Sequence, residues 1–593
     1  MKNIVSVEKT NAPIGYITRG LLSARFNGRL LVDVMPTLSL AEWDVATEML
    51  DEWGMVVRET DDRSVFRIVC EDGTLYAKHY HPRRNVGMLR LAMVRPAKRE
   101  FLAAEEALAR GIPTAAPLLQ RDAPRVVESL YVSEGIPGTI PLLRIRDGNA
   151  GSMQPKRLRE AVSLTDTAAD FLADVHAKGL CHHDFHAGNV LVSRSGTGEY
   201  SLFLIDLVDA GFGRGFSWKQ AKKDLIIWNA EWRDRVSTRL RERFLRTYLL
   251  SVLSRDSHFL ARLPRRLRKM SSTQSLESLV SPVFEEIDRE SRAYSRKVDA
   301  RRDRRVWRTN RDFVALNGIL GKSYFATDFI DPFEVFTMRL TTGFARKDQK
   351  TVKTSSSHHV SRLRIRTRRG DYVVADKQSL KPTSLRKILR NPFRKSKAAK
   401  EWFYANAMHS RGIPTARPIG LIEAAAGPFF IKSHVLTQWL DKTVDLHAWA
   451  RAVESLKPAN RRRRVTDAAE ILGRAVGNMH AKGVSHGDLK ASNILVKNHK
   501  GRIEPYFIDV SGAHVAKRGG ELSLRRRVRD LARLAESATA YPWIGRSAFL
   551  TFFRAYVEAL LPGRCDWKRL WRLASKRAIR RIRQKRANGK PIL

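Results

Sequence analysis

The sequence predicts an α+β chain built as two tandem bilobal domains, each a small antiparallel β-rich lobe followed by a helical lobe. Three observations carry this prediction. The stretch VHAKGLCHHDFHAGNVLV at 175–192 returns as MHAKGVSHGDLKASNILV at 479–496. The stretch EFLAAEEALARGIPTAAPLL at 100–119 returns as EWFYANAMHSRGIPTARPIG at 401–420. The two displacements nearly agree, 401 − 100 = 301 and 480 − 176 = 304. A whole fold is therefore duplicated, with a period far beyond the roughly 20–50 residues of a solenoid repeat.

Taken in order, residues 1–40 read as an irregular or strand-bearing lead-in, and LSLAEWDVATEMLDEW after Thr37 as a helix. SVFRIVC and TLYAKHY, separated by the turn signal Glu71-Asp72-Gly73, form an antiparallel hairpin with Lys78 near its end. AKREFLAAEEALARG is a helix carrying Glu100, with Gly111 as its C-cap. The run RVVESLYVSEGIPG is the strand and turn connecting the lobes, and PKRLREAVSLTDTAADFLADVHAKG is the long helix feeding the repeated loop. AKKDLIIWNAEWRD and TRLRERFLRTYLLSVLSR complete the helical lobe, with counterparts in VRDLARLAES and SAFLTFFRAYVEALL. The expected boundaries are 1–295 for the first domain with its basic helical tail, and 296–593 for the second with a basic C-terminal tail.

The chain of 593 residues, 43% of them hydrophobic, is too long for one core and suggests two to four domains. Its charge is unusual: 108 Lys and Arg against 61 Asp and Glu leave +47. Such a field attracts polyanions, whether anionic glycolipid, membrane surface or nucleic acid. Between Ser254 and Asp312, and again in KRLWRLASKRAIRRIRQKRANGK, the basic residues concentrate. These stretches read either as solvated helices or as anion-binding surfaces, the latter because Trp307 and Phe313 lie among the arginines. The Arg461–Arg464 run reads as a solvated face. Three scattered cysteines, Cys70, Cys181 and Cys565, indicate neither a disulfide framework nor a zinc site and fit a reducing cytosol. No signal-peptide core and no membrane-spanning run is present, so any membrane is met from the side.

In each copy an aspartate, Asp184 or Asp488, is followed five residues on by Asn189 or Asn493 and then by a β-type run. A second aspartate follows, Asp206 in LFLIDLVDAG and Asp509 in YFIDVSGAHV, at spacings of 206 − 184 = 22 and 509 − 488 = 21. Phosphoryl transfer needs positioned phosphates, neutralised charge and an oriented hydroxyl. Asp184 and Asp488 suit the hydroxyl, while Asn189, Asp206, Asn493 and Asp509 suit Mg²⁺ as hard oxygen ligands.

HHDFHAGNVLV with FLIDL, and HGDLKASNILV with FIDVS, resemble the catalytic and metal-binding motifs of the protein-kinase-like superfamily. With the GIPT segment, the Asp224 and Asp530 helices and the R-F-L-R-x-Y helix, the chain resembles the lipopolysaccharide core kinases, which phosphorylate heptose or Kdo sugars. The resemblance implies tandem protein-kinase-like domains, ATP with Mg²⁺, and transfer of the γ-phosphate to an anionic glycolipid or sugar at the cytoplasmic face of the membrane. It makes Lys78 the lysine that contacts ATP phosphates and Glu100 its helix partner. In the second half the partner is Glu401 and the lysine Lys377, with Lys381 as the alternative. Lys490 resembles the γ-phosphate lysine of serine/threonine protein kinases, whereas His186 at that place resembles aminoglycoside phosphotransferases. No G-x-G-x-x-G loop precedes either lysine; ETDDRSVFRI and TSSSHHVSRLRI stand there, with Ser and Thr hydroxyls and exposed amides as substitutes. A protein or small-molecule kinase, and a catalytically silent polyanion-binding protein, stay open as alternatives. Nucleic acid is the disfavoured partner, since none of its recognition motifs occurs. His176 and His480 are expected to cap and pack, and Cys181 to be a small buried side chain.

Overall fold

A computed structural model describes residues 25–26, 29–30 and 54–588, the last with breaks at 61, 71–72, 82–94, 124–127, 146–154, 234, 257, 266–276, 319–320, 330–349, 355–357, 368–369, 380–395, 426–430, 500–501 and 561–566. The expected helix after Thr37 and the alternative lysine Lys381 lie outside the described residues. Of the lead-in, Arg25–Phe26 and Arg29–Leu30 pair as two short antiparallel strands. The chain divides into two compact units, Met1–Tyr294 and Ser295–Leu593.

Unit 1 opens on strands β1 (Met55–Glu59), β2 (Arg63–Cys70) and β3 (Gly73–Tyr80), completed by β4 (Pro117–Asp122) and β5 (Ser129–Glu134). All pairings are antiparallel, in the order β1-β2-β3-β5-β4. Phe66, Ala77, Leu119, Leu130 and Val132 form the small core of this sheet. Helix α1 (Pro96–Ala109) buries a stripe of Ala97, Glu100, Phe101, Ala104 and Ala107. A carboxylate in an otherwise apolar stripe demands a cationic partner. The helix stops at Gly111, whose φ of 66° is the left-handed conformation that glycine adopts without a Cβ clash.

The helical lobe of unit 1 is built on α2 (Pro155–Ala177), the hairpin β6 (Val190–Arg194) and β7 (Tyr200–Leu204), α3 (Trp218–Trp232) and α4 (Thr238–Arg255). The 26-residue helix α5 (Glu277–Arg302) contains the division between the units. Its Leu279, Val283, Phe284 and Ile287 join the unit 1 core at helical spacing. Beneath them Arg241 bonds Asp288 and Asn229, and Arg292 and Arg233 also face Asp288. Burial opposes the ionised form of Asp288, but these guanidiniums hold its carboxyl down at about 2. The part of the basic stretch from Glu277 to Arg302 is thus a docked helix.

Unit 2 repeats the plan. Its sheet contains β8 (Phe313–Gly318), β9 (Gly321–Ala326), β10 (Lys350–Thr354), β11 (His358–Thr367), β12 (Gly370–Ser379), β13 (Pro418–Ala425) and β14 (Ile431–Gln438). The order β8-β9-β13-β14-β12-β11-β10 reproduces the five strands of unit 1 and adds the β8-β9 hairpin along β13. That hairpin was not read from the sequence, although FVALNG and GKSYFA flank a turn. Trp307 and Phe313 belong to this addition: Trp307 stacks on Phe403 at 6.2 Å and meets Tyr324 edge-on, and Phe313 meets Trp402. Packing accounts for these aromatics, so they do not support an anion-binding surface there.

Helix α6 (Lys397–Ser410) carries Glu401 in its buried stripe and ends at Gly412, φ 62°. Then come α7 (Leu446–Glu454), α8 (Pro458–Ala481), the hairpin β15 (Ile494–His499) and β16 (Arg502–Phe507), α9 (Leu524–Ala538), α10 (Arg546–Leu560) and α11 (Trp567–Ala587). Leu570, Ala574 and Ala578 seat α11 in the core. In the Arg461–Arg464 run, Arg462 and Arg463 are exposed while Arg461 lies over the Trp543 ring.

Candidate active site

Each unit holds its repeated loop by one buried aspartate. In unit 1, Asp224 of α3 is fully buried and accepts the backbone N–H groups of His182 and His183, both at 2.7 Å. In unit 2, Asp530 of α9 accepts those of His486 and Gly487 at 2.8 and 3.0 Å. His176 Nε2 lies 3.3 Å from Asp224 and its Nδ1 2.8 Å from the Tyr248 hydroxyl; His480 repeats this with Asp530 and Tyr556 at the same distances. The helix-end histidines are therefore packing residues that orient the loop-holding aspartate. His176, Cys181 and Asp224 bring three ligand-type atoms within 4.8 Å of one another. Ser485 takes the place of Cys181 in unit 2, which marks the cluster as structural. Burial, with Asp224 nearby, pushes the Cys181 thiol up to about 12, so it is protonated and inert.

The loop's tight reversal requires a left-handed residue one position before the aspartate. Unit 1 uses His183 at φ 61° and unit 2 uses Gly487 at φ 82°. A Cβ on Gly487 would lie 2.0 Å from the Gly512 carbonyl oxygen, so glycine is obligatory there. The Asn189 amide nitrogen donates to the Asp184 backbone oxygen at 3.1 Å, and Asn493 to that of Asp488 at 2.9 Å. Fixing the amide nitrogen leaves Oδ1 of each buried asparagine as its remaining acceptor. The backbone oxygens of Asn189 and Asn493 receive Ile205 and Ile508 N–H at 3.0 Å, which sets the loop beside the second aspartate.

That second aspartate, Asp206 or Asp509, is left-handed, at φ 64° and 57°. The conformation is uncommon for a residue with a Cβ and tolerated by aspartate. In unit 1 the Lys78 ammonium reaches Glu100 and lies 3.1 Å from Asp206 Oδ1. In unit 2 Lys377 lies 2.7 Å from both Glu401 and Asp509. Lys377 is thus the lysine of unit 2, and strand register explains the choice: Lys377 pairs opposite Val360 as Lys78 pairs opposite Val65. Burial lowers the Lys377 pKa, but Glu401 and Asp509 outweigh it and hold the ammonium above its ordinary value.

The GIPT segment joins these parts. Thr114 Oγ1 donates to the Leu204 carbonyl and Thr415 Oγ1 to that of Phe507, both at 2.8 Å. The Leu204 and Phe507 N–H groups bond Pro113 and Pro414 oxygens at 2.9 Å. A short parallel bridge therefore links the end of the glutamate helix to the strand that precedes Asp206 or Asp509 by two residues. Lys178 and Lys482, from the HAKG turns, donate to Gly111 and Arg411 oxygens. In unit 2 Arg411 is buried in a bidentate bond to Asp303, at 2.6 and 2.8 Å.

Within each unit the lysine, the helix glutamate and the second aspartate meet directly, and backbone bonds from Ile205 and Ile508 tie the Asp-x-x-x-x-Asn loop to them. Two arginines were missed. Arg533 contacts Asp488 Oδ1 at 2.5 Å; Ile227 stands at its place in unit 1. Arg63 bonds Asp206 through both terminal nitrogens, at 2.8 and 3.4 Å. Burial opposes ionisation of Asp206, yet Lys78 and Arg63 hold its carboxyl far below the usual range. At the loop position, the Lys490 ammonium lies 3.7 Å from Asp488, and His186 Nε2 3.7 Å from Asp184. His186 Nδ1 accepts the Gly188 N–H, so its proton resides on Nε2, toward the aspartate. The expected substitution of glycine amides by hydroxyls does not occur at Thr60, whose hydroxyl is spent within its own turn on Asp62 and the Arg63 carbonyl.

The model of the lipopolysaccharide kinase (Kdo/WaaP) family matches residues 47–248 and 365–556, one region in each unit. The chain belongs to that family. Within this Kdo/WaaP membership, the lipopolysaccharide core heptose(I) kinase WaaP of Pseudomonas aeruginosa is 29% identical over 160 residues, 27% of this chain. The chain spans 59% of that relative's length. A solved structure, WaaP in complex with acyl carrier protein, matches 41% of this chain and 92% of its own at 20% identity, with a TM-score of 0.30. The doubled match makes this a tandem Kdo/WaaP chain, with two kinase-like α+β regions.

Proposed function

We propose that the chain is an ATP-dependent sugar kinase that phosphorylates a lipopolysaccharide-core-like glycolipid, with one transfer site in each unit. The observation that carries this reading is the lysine–glutamate–aspartate cluster beside an Asp-x-x-x-x-Asn loop, assembled twice. Lys78 with Glu100, and Lys377 with Glu401, are placed to hold ATP phosphates. Asp184 and Asp488 would orient the acceptor hydroxyl and take its proton. In unit 2, Asn493 and the half-exposed Asp509 offer the hard oxygens that Mg²⁺ prefers, and the ion would neutralise charge developing on the transferred phosphoryl group. Unit 1 presents Asn189 and Asp206 in the same places, but Arg63 already lies on Asp206, and a divalent ion does not fit beside it.

Charge supports an anionic acceptor. In unit 2, Arg525, Arg529, Arg580 and Arg581 surround Arg577, whose guanidinium pKa is lowered by burial and by these neighbours. Arg529 borders Gly487, one residue before Asp488. A phosphorylated sugar would be drawn to this side of the loop. Among the described residues no helix is long and apolar enough to cross a membrane. In this reading it is the basic surface that brings the enzyme to an anionic glycolipid at the cytoplasmic membrane face. Lys490 keeps a second acceptor class open for unit 2, a protein or small-molecule hydroxyl, because it stands where the protein-kinase resemblance puts a γ-phosphate lysine. The complete clusters in both units count against a silent polyanion-binding protein.

The test is transfer of ³²P from labelled ATP to purified core glycolipid, using wild type, Asp184→Ala, Asp488→Ala and the double variant. The reading expects incorporation that each single variant reduces and the double variant abolishes. No incorporation by wild type sinks it.

A further inference from the structure

Arg63 is the first residue of β2, where a kinase-like lobe covers the nucleotide phosphates, and its environment fixes it in place. Thr60 N–H bonds the Arg63 carbonyl at 2.8 Å, closing the β1–β2 turn. The His81 N–H bonds the Asp62 carbonyl, and the His81 ring lies 2.8 Å from the Ser64 hydroxyl, strapping the turn to the end of the lysine strand. The guanidinium lies over the Tyr80 ring, whose hydroxyl donates to Glu100 at 2.7 Å. Its fork then reaches Asp206, whose Oδ1 is shared with Lys78.

Two fixed cations therefore occupy the carboxylate that a divalent ion would need. The Asp206 side chain is 15% exposed, against 46% for Asp509. The difference is written into the sequence. Counted by register from the paired lysines, Arg63 opposite Tyr80 corresponds to His358 opposite Ser379. Guanidinium and carboxylate are a matched bidentate pair, and the same fork binds phosphate oxygens.

We propose that Arg63 takes the place of the divalent cation in unit 1, so that this unit grips the phosphates of a nucleoside triphosphate with Arg63 and Lys78 and needs no metal. The two units then differ in kind: unit 2 holds its nucleotide through a metal, and unit 1 through a built-in guanidinium. This rests on the reading of unit 1 as a nucleotide site, and the experiment separates the two.

Equilibrium binding of a fluorescent non-hydrolysable ATP analogue is measured on the full chain carrying Lys377→Ala, which removes the unit 2 lysine, in Mg²⁺ and in EDTA. Adding Lys78→Ala identifies the remaining site by abolishing its signal. The proposal expects affinities within about threefold in the two buffers. Adding Arg63→Ala instead should weaken binding in EDTA at least tenfold and restore it in Mg²⁺, because Asp206 is then open to the ion. Arg63→Lys, which keeps the charge and loses the fork, should fall between, and an unchanged melting temperature for either Arg63 variant separates loss of grip from loss of fold. Binding at least tenfold tighter in Mg²⁺ before Arg63 is changed, or indifference to Arg63→Ala, overturns the proposal. A Lys78-dependent signal missing from both buffers overturns the nucleotide reading of unit 1 and this inference with it.

Discussion

Asp530→Asn is the change that most sharply tests how the loop is held. The carboxylate accepts two backbone N–H groups, at 2.8 and 3.0 Å, and faces His480 Nε2 at 3.3 Å in a fully buried site. Asparagine keeps the shape but turns one oxygen into a donor. One loop N–H then points at an N–H, and the others lose a charged acceptor. A hydrogen bond to a charged group contributes about 1.5–3 kcal/mol, so losing one and weakening its neighbours should cost about 3 kcal/mol. For unit 2, Ser295–Leu593, an unfolding entropy of about 2.1 cal/mol/K per residue makes that a fall of about 5 °C in melting temperature. Calorimetry on the full chain reads it, and the transfer assay should show unit 2 turnover falling in parallel. Asp224→Asn must give a matching loss for unit 1, since its geometry is the same at 2.7, 2.7 and 3.3 Å. A shift below about 2 °C in either variant, with activity kept, would refute the view that these aspartates hold the loops.

Four further outcomes follow from other contacts. Gly487→Ala must place a Cβ 2.0 Å from the Gly512 oxygen at φ 82°, so unit 2 transfer should collapse, whereas His183→Gly should leave unit 1 folded; circular dichroism with the transfer assay checks both. Arg241→Ala strips one guanidinium from Asp288 and should destabilise unit 1 by about 2–3 kcal/mol in urea, less than a pair left wholly uncompensated, because Arg292 and Arg233 stay. Because the folded carboxyl sits at about 2 and the unfolded one near 3.9, the stabilisation from Asp288 is complete above about pH 4 and fades as pH falls toward 2; an acid titration of wild type and Arg241→Ala should converge there. Thr415→Val removes the bond to the Phe507 carbonyl and should cost about 1–2 kcal/mol with a severalfold loss of unit 2 activity, measured by melting and transfer.

What was legible in the sequence was mostly local. An aspartate and asparagine five residues apart on one loop, followed by a strand, carry their geometry in the covalent chain, and duplication made the pattern stand out. The GIPT segment was visible as a repeat, but its role depends on a bridge to a strand about 90 residues away. Lys377 stayed open beside Lys381 because the lead into its strand differs from that of Lys78, and only pairing register decides. Arg63 meets Asp206 across 143 residues, and Arg533 meets Asp488 from another element; among 108 basic residues neither had a local signal. Trp307 and Phe313 misled for the opposite reason. Their basic neighbours suggested a surface, while the β8-β9 hairpin that buries them lay in a stretch whose alternation and glycines were legible but unread.

On the proposed reading, one chain carries two nucleotide-handling sites. Isothermal titration of the full-length protein with a non-hydrolysable ATP analogue in Mg²⁺ tests it most directly. Two molecules should bind per chain, one after either Lys78→Ala or Lys377→Ala, and none after both; a stoichiometry of one in wild type, or binding that survives both substitutions, would overturn the two-site reading.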